Sequence, residues 1–359
     1  AAPTAAPRSA RDSAPALARG KDANDWREYY AEGLRLIERK LPKSADRYFL
    51  WAARLNPQTA EPVHMHWVAL SLMKGHLLEI EPGKGTARDE AERAGVDSVL
   101  MEALRIDPFT PRHYARYVYE GRAGYWRRDA LTQGYLAYTE ARYDRAVRLL
   151  AHVREGDRLM PARMFRALSF YAMERYDSAA VELELLAALA SSERATTLAP
   201  SYEGPAVYLY GVGMARLRLG DLDGARDALT RALGEDVSLA AAHVALAKVA
   251  AARGDTTEAL HEWAMAVELR PSSAAMHGGY ANALHAFGRH EEAVAEYEWA
   301  IALEPHWADP YFNEATVLDR LRRGPEAVTR YAQFLARAPL AYTKPIEVAR
   351  ARIAALNGG

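Results

Sequence analysis

The 359-residue chain contains no cysteine, which excludes disulfide staples, thiolate metal sites, iron–sulfur clusters and cysteine nucleophiles. Nor is there an excess of either charge: 46 Lys and Arg face 47 Asp and Glu, a formal net charge of −1. A protein that coats a polyanion is ordinarily basic, so neither nucleic acid nor an anionic membrane is expected as a partner. No uncharged apolar run reaches the roughly 18 residues that a membrane-spanning helix needs. Half of the residues are nevertheless apolar, enough for a sizeable core, and length alone suggests two or three ordinary domains.

Residues 1–22 are dominated by Ala, Pro, Ser and Arg, with Leu17 as the only large apolar side chain. Such a segment cannot offset its ordering entropy by its own burial. It is read as an N-terminal arm. The first residue is not Met, which fits either a mature end left by signal-peptide removal or simple trimming. The first origin leads to the expectation of an exported protein, periplasmic or extracellular; the second leaves a cytoplasmic location. Thr4, Ser9 and Ser13 beside prolines are candidates for O-linked sugars.

Self-comparison organises the remainder. Proline recurs at Pro271, Pro305 and Pro339, and alanine at Ala225, Ala259, Ala293 and Ala327, each 34 residues apart. Turns precede those alanines, as GDLDGA, GDTTEA, GRHEEA and RRGPEA. Upstream, Ala146 and Ala179 end the related strings ARYDRA and ERYDSA. Each period reads as two amphipathic helices joined by a tight turn. Gly220, Gly254 and Gly288 are placed to close the first helix in the left-handed conformation. Small residues at Gly213, Ala247, Ala281 and Ala315 allow close helix approach. Leu229, Trp263, Tyr297 and Tyr331, one turn after each repeated alanine, fill the gap between pairs.

This pattern resembles the tetratricopeptide repeat family, as His277, Tyr280, Ala281, Leu284, Ala293, Tyr297, Ala300 and Pro305 show. Tyr29, Gly33, Leu36, Ala45, Phe49, Ala52 and Pro57 carry it at the other end. The resemblance runs from about residue 23 to 341. It implies an all-α fold, a right-handed superhelical solenoid of about eight antiparallel helix pairs closed by a C-terminal capping helix. The period is interrupted near 79–96, by IEPGKGTARDEAERAG, and near 191–204, by SSERATTLAPSYEG, both expected as loops. The organisation is then an arm at 1–22, repeats at 23–126 and 127–341, and a cap helix with tail at 342–359.

Chemical motifs are sparse. EPGKGT has Leu78 where a phosphate loop needs its first glycine, and no buried strand precedes it. His64 and His66 are two apart and point to different sides of a helix, while His261 and His290 lack a second histidine four residues on. No triad, carboxylate pair or dinucleotide turn stands out, so no enzyme, cofactor or metal is expected. The stretch 112–129 interleaves Arg with Tyr117, Trp126 and other aromatics. Gap-filling between helices explains it best, and glycan binding by an accessory module is the alternative.

In the family, the first helix of each repeat lines a concave partner-binding groove. Projection places Tyr210, Met214, Arg218, Val244, Lys248, Asn282, His285, Phe312, Asn313 and Arg320 near it. The family's carboxylate clamp is not assembled, because its slots hold Gly278, Val244 and Tyr210. Thr343 is the expected N-cap of the last helix, with Ile346, Ala349, Ile353 and Leu356 packing inward and Val348, Ala351 and Ala355 facing outward. The function expected is a non-enzymatic protein-interaction scaffold that assembles head-to-tail into a homopolymer. Its contacts would be Val348, Ala351 and Ala355 with the arm residues Pro3, Pro7, Arg8, Arg11 and Leu17. The alternative is a monomeric adaptor that holds a different protein in its groove.

Overall fold

The computed structural model describes residues 13–75, 85–110, 129–154, 159–191 and 204–358. Among these are seventeen α-helices and no strand, so the fold is all-α. Contacts divide the chain into two units: Ala1–Pro62 with Asp255–Gly359, and Val63–Gly254. This division follows contact, whereas the sequence-based bounds mark interruptions in the repeat period.

The first unit contains α1 (Trp26–Glu38), α2 (Pro42–Leu55), α12 (Thr256–Leu269), α13 (Ala274–Ala286), α14 (His290–Leu303), α15 (Asp309–Arg320), α16 (Gly324–Leu335) and α17 (Thr343–Asn357). The second contains most of α3 (Ala60–Met73), then α4 (Ala87–Ile106), α5 (Ala130–Thr139), α6 (Tyr143–Leu150), α7 (Leu159–Ala172), α8 (Tyr176–Ala190), α9 (Pro205–Leu219), α10 (Leu222–Glu235) and α11 (Ala240–Ala252).

The turns show why the sequence alternates Gly-Asp before the repeated alanine. Gly220 and Gly254 sit at φ 77° and 80°, and the aspartates that follow cap the next helix. Asp221 accepts from Gly224 N at 2.9 Å and Asp255 from Glu258 N at 2.9 Å. One residue thus ends a helix by its lack of a Cβ and the next begins another by satisfying an orphan N–H. Elsewhere the left-handed position is held by Lys40, Ala141, Glu174 and Arg322, with φ between 56° and 61°.

Ala45, Ala146, Ala179, Ala225, Ala259, Ala293 and Ala327 are all fully buried. In three helix pairs the small residue of the first helix meets the large one sixteen positions on. A Cβ on Gly33 would lie 2.5 Å from the Phe49 ring, on Gly134 2.4 Å from Leu150, and on Gly213 2.5 Å from Leu229. Tyr29, Gly33, Leu36, Ala45, Phe49 and Ala52, the N-terminal pattern residues, are buried as expected. The α13 segment adds a pair: Gly278 accommodates the Trp307 ring and Gly279 that of Trp263.

Two local expectations are corrected. The interruption near 79–96 is not a loop throughout, because α4 begins at Ala87 and runs twenty residues. Its start is a capping box: Thr86 Oγ1 accepts from Asp89 N, and the Asp89 carboxylate accepts from Thr86 N at 2.9 Å. The last helix begins at Thr343 itself, with Tyr342 before it and no side-chain cap. Its inward stripe is as expected, with Ala349 buried and Ile346, Ile353 and Leu356 packed on the repeat core.

Candidate partner-binding faces

In the second unit α9 carries the projected residues Tyr210, Met214 and Arg218 and α11 carries Val244 and Lys248, and Tyr210 is covered by the chain itself. The turn after α4 lays Phe109 flat on Tyr171, with ring centroids 3.5 Å apart and planes at 6°. The Arg105 carbonyl accepts from the Tyr210 hydroxyl at 3.5 Å. Tyr210 is consequently only 3% exposed, and burial drives its phenol pKa far upward. The residue projected as a groove contact is therefore core, and Met214 is half-buried beside it. The projection missed this because nothing periodic links residues 105 and 210.

Arg218 and Lys248 do remain exposed. The Arg218 Nε donates to the Tyr171 hydroxyl at 3.3 Å, and this contact raises its pKa. The Lys248 ammonium lies where surrounding protein reduces hydration, and Arg218 repels it, so its pKa is lowered.

In the first unit, α13 and α15 bring Asn282 and Asn313 together. Asn282 Oδ1 accepts from Tyr297 at 2.6 Å and from Asn313 Nδ2 at 3.0 Å. Both asparagines line a cavity of about 40 Å³ shared with Gln58, Trp307 and Asp309, large enough for a water molecule. His285 faces His290 at 3.2 Å between Nδ1 atoms; desolvation, then the charges of His290 and Arg320, lower its pKa. Arg320 is exposed, while Phe312 packs against Phe334 and Tyr331 at 5.0 and 5.9 Å.

The same unit seats the N-terminal helix pair on the edge of the C-terminal repeats. The Trp51 ring lies 4.8 Å from that of His306 and 5.2 Å from the Arg54 guanidinium, whose Nε reaches Glu304 at 3.1 Å. Asp22 accepts from Leu340 N at 2.6 Å. Leu17 belongs to the cluster of Tyr29 and Trp51, and the Tyr48 hydroxyl donates to the Ala16 carbonyl at 2.6 Å. Of the assembly candidates, Val348 is 46% exposed and Ala351 and Ala355 are exposed. Pro3, Pro7, Arg8 and Arg11 lie outside the described residues, as does nearly all of the Arg/Tyr stretch 112–129.

Two further ionisable groups of this unit are buried, Glu314 and His277. Glu314 is 1% exposed, paired through Oε1 with Arg330 Nε at 2.9 Å, while its Oε2 has no partner. Burial, only partly opposed by Arg330, pushes its carboxyl up to about 7. Its position immediately before the small Ala315 is aliphatic or aromatic in the three preceding repeats (Val212, Leu246, Tyr280), a departure visible in the sequence. His277 is held by Glu296 Oε2 at 2.6 Å and the Pro271 carbonyl at 2.9 Å, and stacks on Trp299. Burial opposes its charge, but the two acceptors prevail and its pKa is raised. Among the described residues no cluster of His, Asp and Glu suits a metal, and no helix is long and apolar enough to cross a membrane.

The tetratricopeptide repeat family model matches residues 210–266 and 244–306. Those residues are similar to tetratricopeptide repeats, and the described residues have an all-α repeat fold. Comparison with curated proteins found no significant match. Among solved structures, the C-terminal part of a TPR repeat-containing protein from Cytophaga hutchinsonii is 13% identical, with TM-score 0.50. That match covers 64% of this chain and 88% of the other. YrrB, described as a TPR protein with an unusual peptide-binding site, is 16% identical with TM-score 0.41, covering 53% and 91%. MamA is 16% identical with TM-score 0.41, covering 50% and 91%.

Proposed function

We propose that this protein is a non-enzymatic interaction scaffold whose first-helix faces take segments of a partner protein. One observation carries the reading: the α7–α9 face already holds polypeptide, with Phe109 stacked on Tyr171 and Arg105 bonded to Tyr210. A surface that seats a segment of its own chain has the apolar and hydrogen-bonding character to seat another. A photoreactive residue at Met214 tests this. It is expected to cross-link a discrete second polypeptide, whereas the same residue at Arg231 is not. Purely intramolecular cross-links at Met214 would refute it.

Self-assembly is a second reading, favoured by the exposed apolar side of α17, where Val348, Ala351 and Ala355 stand together. Leu17 is engaged within its own molecule, so the outer side of α17 is the surface to test. Light scattering across concentrations is expected to show growth that Val348→Glu abolishes; a monodisperse monomer throughout would sink it. The Ala/Pro-rich composition of residues 1–22 supports an exported location, which cell fractionation checks.

A further inference from the structure

The outer side of α8 departs from the pattern of its neighbours. Two positions past the repeated alanine, other pairs carry Arg47, Arg148, Asp227, His261 and Thr329, whereas α8 carries Val181. Val181 is 59% exposed, and with Leu185 and Leu219 it lines an open groove of about 390 Å³ between α8 and the end of α9. Three of the seven large exposed aliphatic side chains among the described residues thus share one depression. Its rim holds one uncompensated carboxylate. Glu184 is matched by Arg231 at 3.0 Å and Asp221 by Arg216 at 3.7 Å, but Asp177 meets only the Ser178 hydroxyl, at 3.4 Å.

A complementary surface stands on α17. Its outer stripe is Lys344, Val348, Ala351 and Ala355, and that of α8 is Asp177, Val181, Glu184 and Ala188. Both step by four, three and four residues, the spacing of side chains along one helix face. In a parallel arrangement at that register, Lys344 meets Asp177, Val348 enters the groove beside Val181 and Leu185, and the alanines allow close approach. Lys344 is exposed and has no carboxylate within ion-pair distance among the described residues. Glu347 and Arg350, beside the stripe, add no net charge.

We propose that the groove of α8 and α9 receives the outer side of α17 from a second copy of this chain. This rests on the self-assembly reading and names the surface that α17 meets. Burial of the aliphatic side chains supplies the affinity, and the Asp177–Lys344 pair at the rim sets the orientation. The two surfaces differ, so each bound copy still presents one of them, and assembly proceeds head to tail.

The native chain has no cysteine, so single introduced cysteines report the contact. Val181→Cys and Val348→Cys proteins, mixed with an added oxidant, are expected to give a disulfide-linked dimer. Its yield should be at least five times that of Val348→Cys mixed with Val237→Cys, although Val237 is the more exposed position at 76%. Equal yields overturn the proposal. Cysteine is close to valine in size, so this test stands even where a charged variant unfolds.

In light scattering, Val181→Glu should raise the concentration needed for growth at least tenfold, and Asp177→Lys at least threefold. Combining Asp177→Lys with Lys344→Asp should restore it; urea midpoints check that each variant is folded. Growth that Val348→Glu abolishes but Val181→Glu and Asp177→Lys leave unchanged overturns the groove and keeps self-assembly. Absence of growth in the native protein overturns both.

Discussion

Phe109 and Tyr171 stack almost parallel, with ring centroids 3.5 Å apart, although 62 residues separate them in the chain. The contact closes one end of the face formed by α7 and α9 and buries Phe109 to 7% exposure. Phe109→Ala is expected to destabilise the Val63–Gly254 unit by about 3 kcal/mol, the usual cost of deleting a buried ring. Hydrogen exchange should show α4 opening before α9 and α10. Simultaneous opening of all three would contradict the assignment of Phe109 as a separable cover.

Glu314 makes a pH dependence of defined sign. Its carboxyl titrates near 7 in the fold and near the ordinary 4.5 when unfolded. The folded state therefore binds the extra proton, stability is full below about pH 4.5, and it is lost as pH rises through 7. The displacement corresponds to roughly 3 kcal/mol. Glu314→Gln should raise Tm at pH 8 relative to the native protein and leave it nearly unchanged at pH 5. Equal shifts at both pH values would exclude ionisation as the cause.

The histidines should titrate in a fixed order. Acceptors on both ring nitrogens lift His277 above its ordinary value, whereas desolvation and the neighbouring cations depress His285. His277 accordingly adds stability below pH 6.5 that is lost as pH rises through its folded value. NMR of the ring protons is expected to show His285 losing its proton first on raising pH and His277 after it. Glu296→Gln should lower the His277 midpoint.

Gly278 separates packing from propensity. On helix propensity alone, Ala is favoured over Gly inside a helix by about 1 kcal/mol. A Cβ there would lie 2.7 Å from the Trp307 ring, and Trp307 is 3% exposed. Gly278→Ala is therefore expected to destabilise by about 1–3 kcal/mol through overpacking. A stabilised variant in chemical denaturation would show that Trp307 moves freely.

The turns offer a paired comparison. Gly254 has φ 80° and Ala141 has φ 56° at the equivalent position. Gly254→Ala should cost about 1 kcal/mol, and Ala141→Gly should gain up to about 1 kcal/mol by removing left-handed strain. Both are read from urea midpoints at unchanged slope.

Much of the molecule was legible from residue spacing. The buried alanines, the left-handed glycines, the small residues opposite Phe49, Leu150 and Leu229 and the inward stripe of α17 all follow from contacts within one helix pair. The start of α4 was also readable, through Thr86 and Asp89, but the glycine-rich string before it suggested a loop. Of the projected groove, Asn282 and Asn313 do meet, and Arg218 and Lys248 are exposed. Tyr210 is buried instead, because its cover comes from residues 105–109.

The sequence by itself determined the helix pairs, their turns and their cores, since each depends on neighbours within about 34 residues and leaves a periodic trace. Only the tertiary structure decided which faces stay open. Arg54 reaches Glu304 across 250 positions, and Asp22 meets Leu340 across 318. Such contacts join single residues from unrelated repeat positions, so no periodicity announces them, yet they determine what a partner finds uncovered.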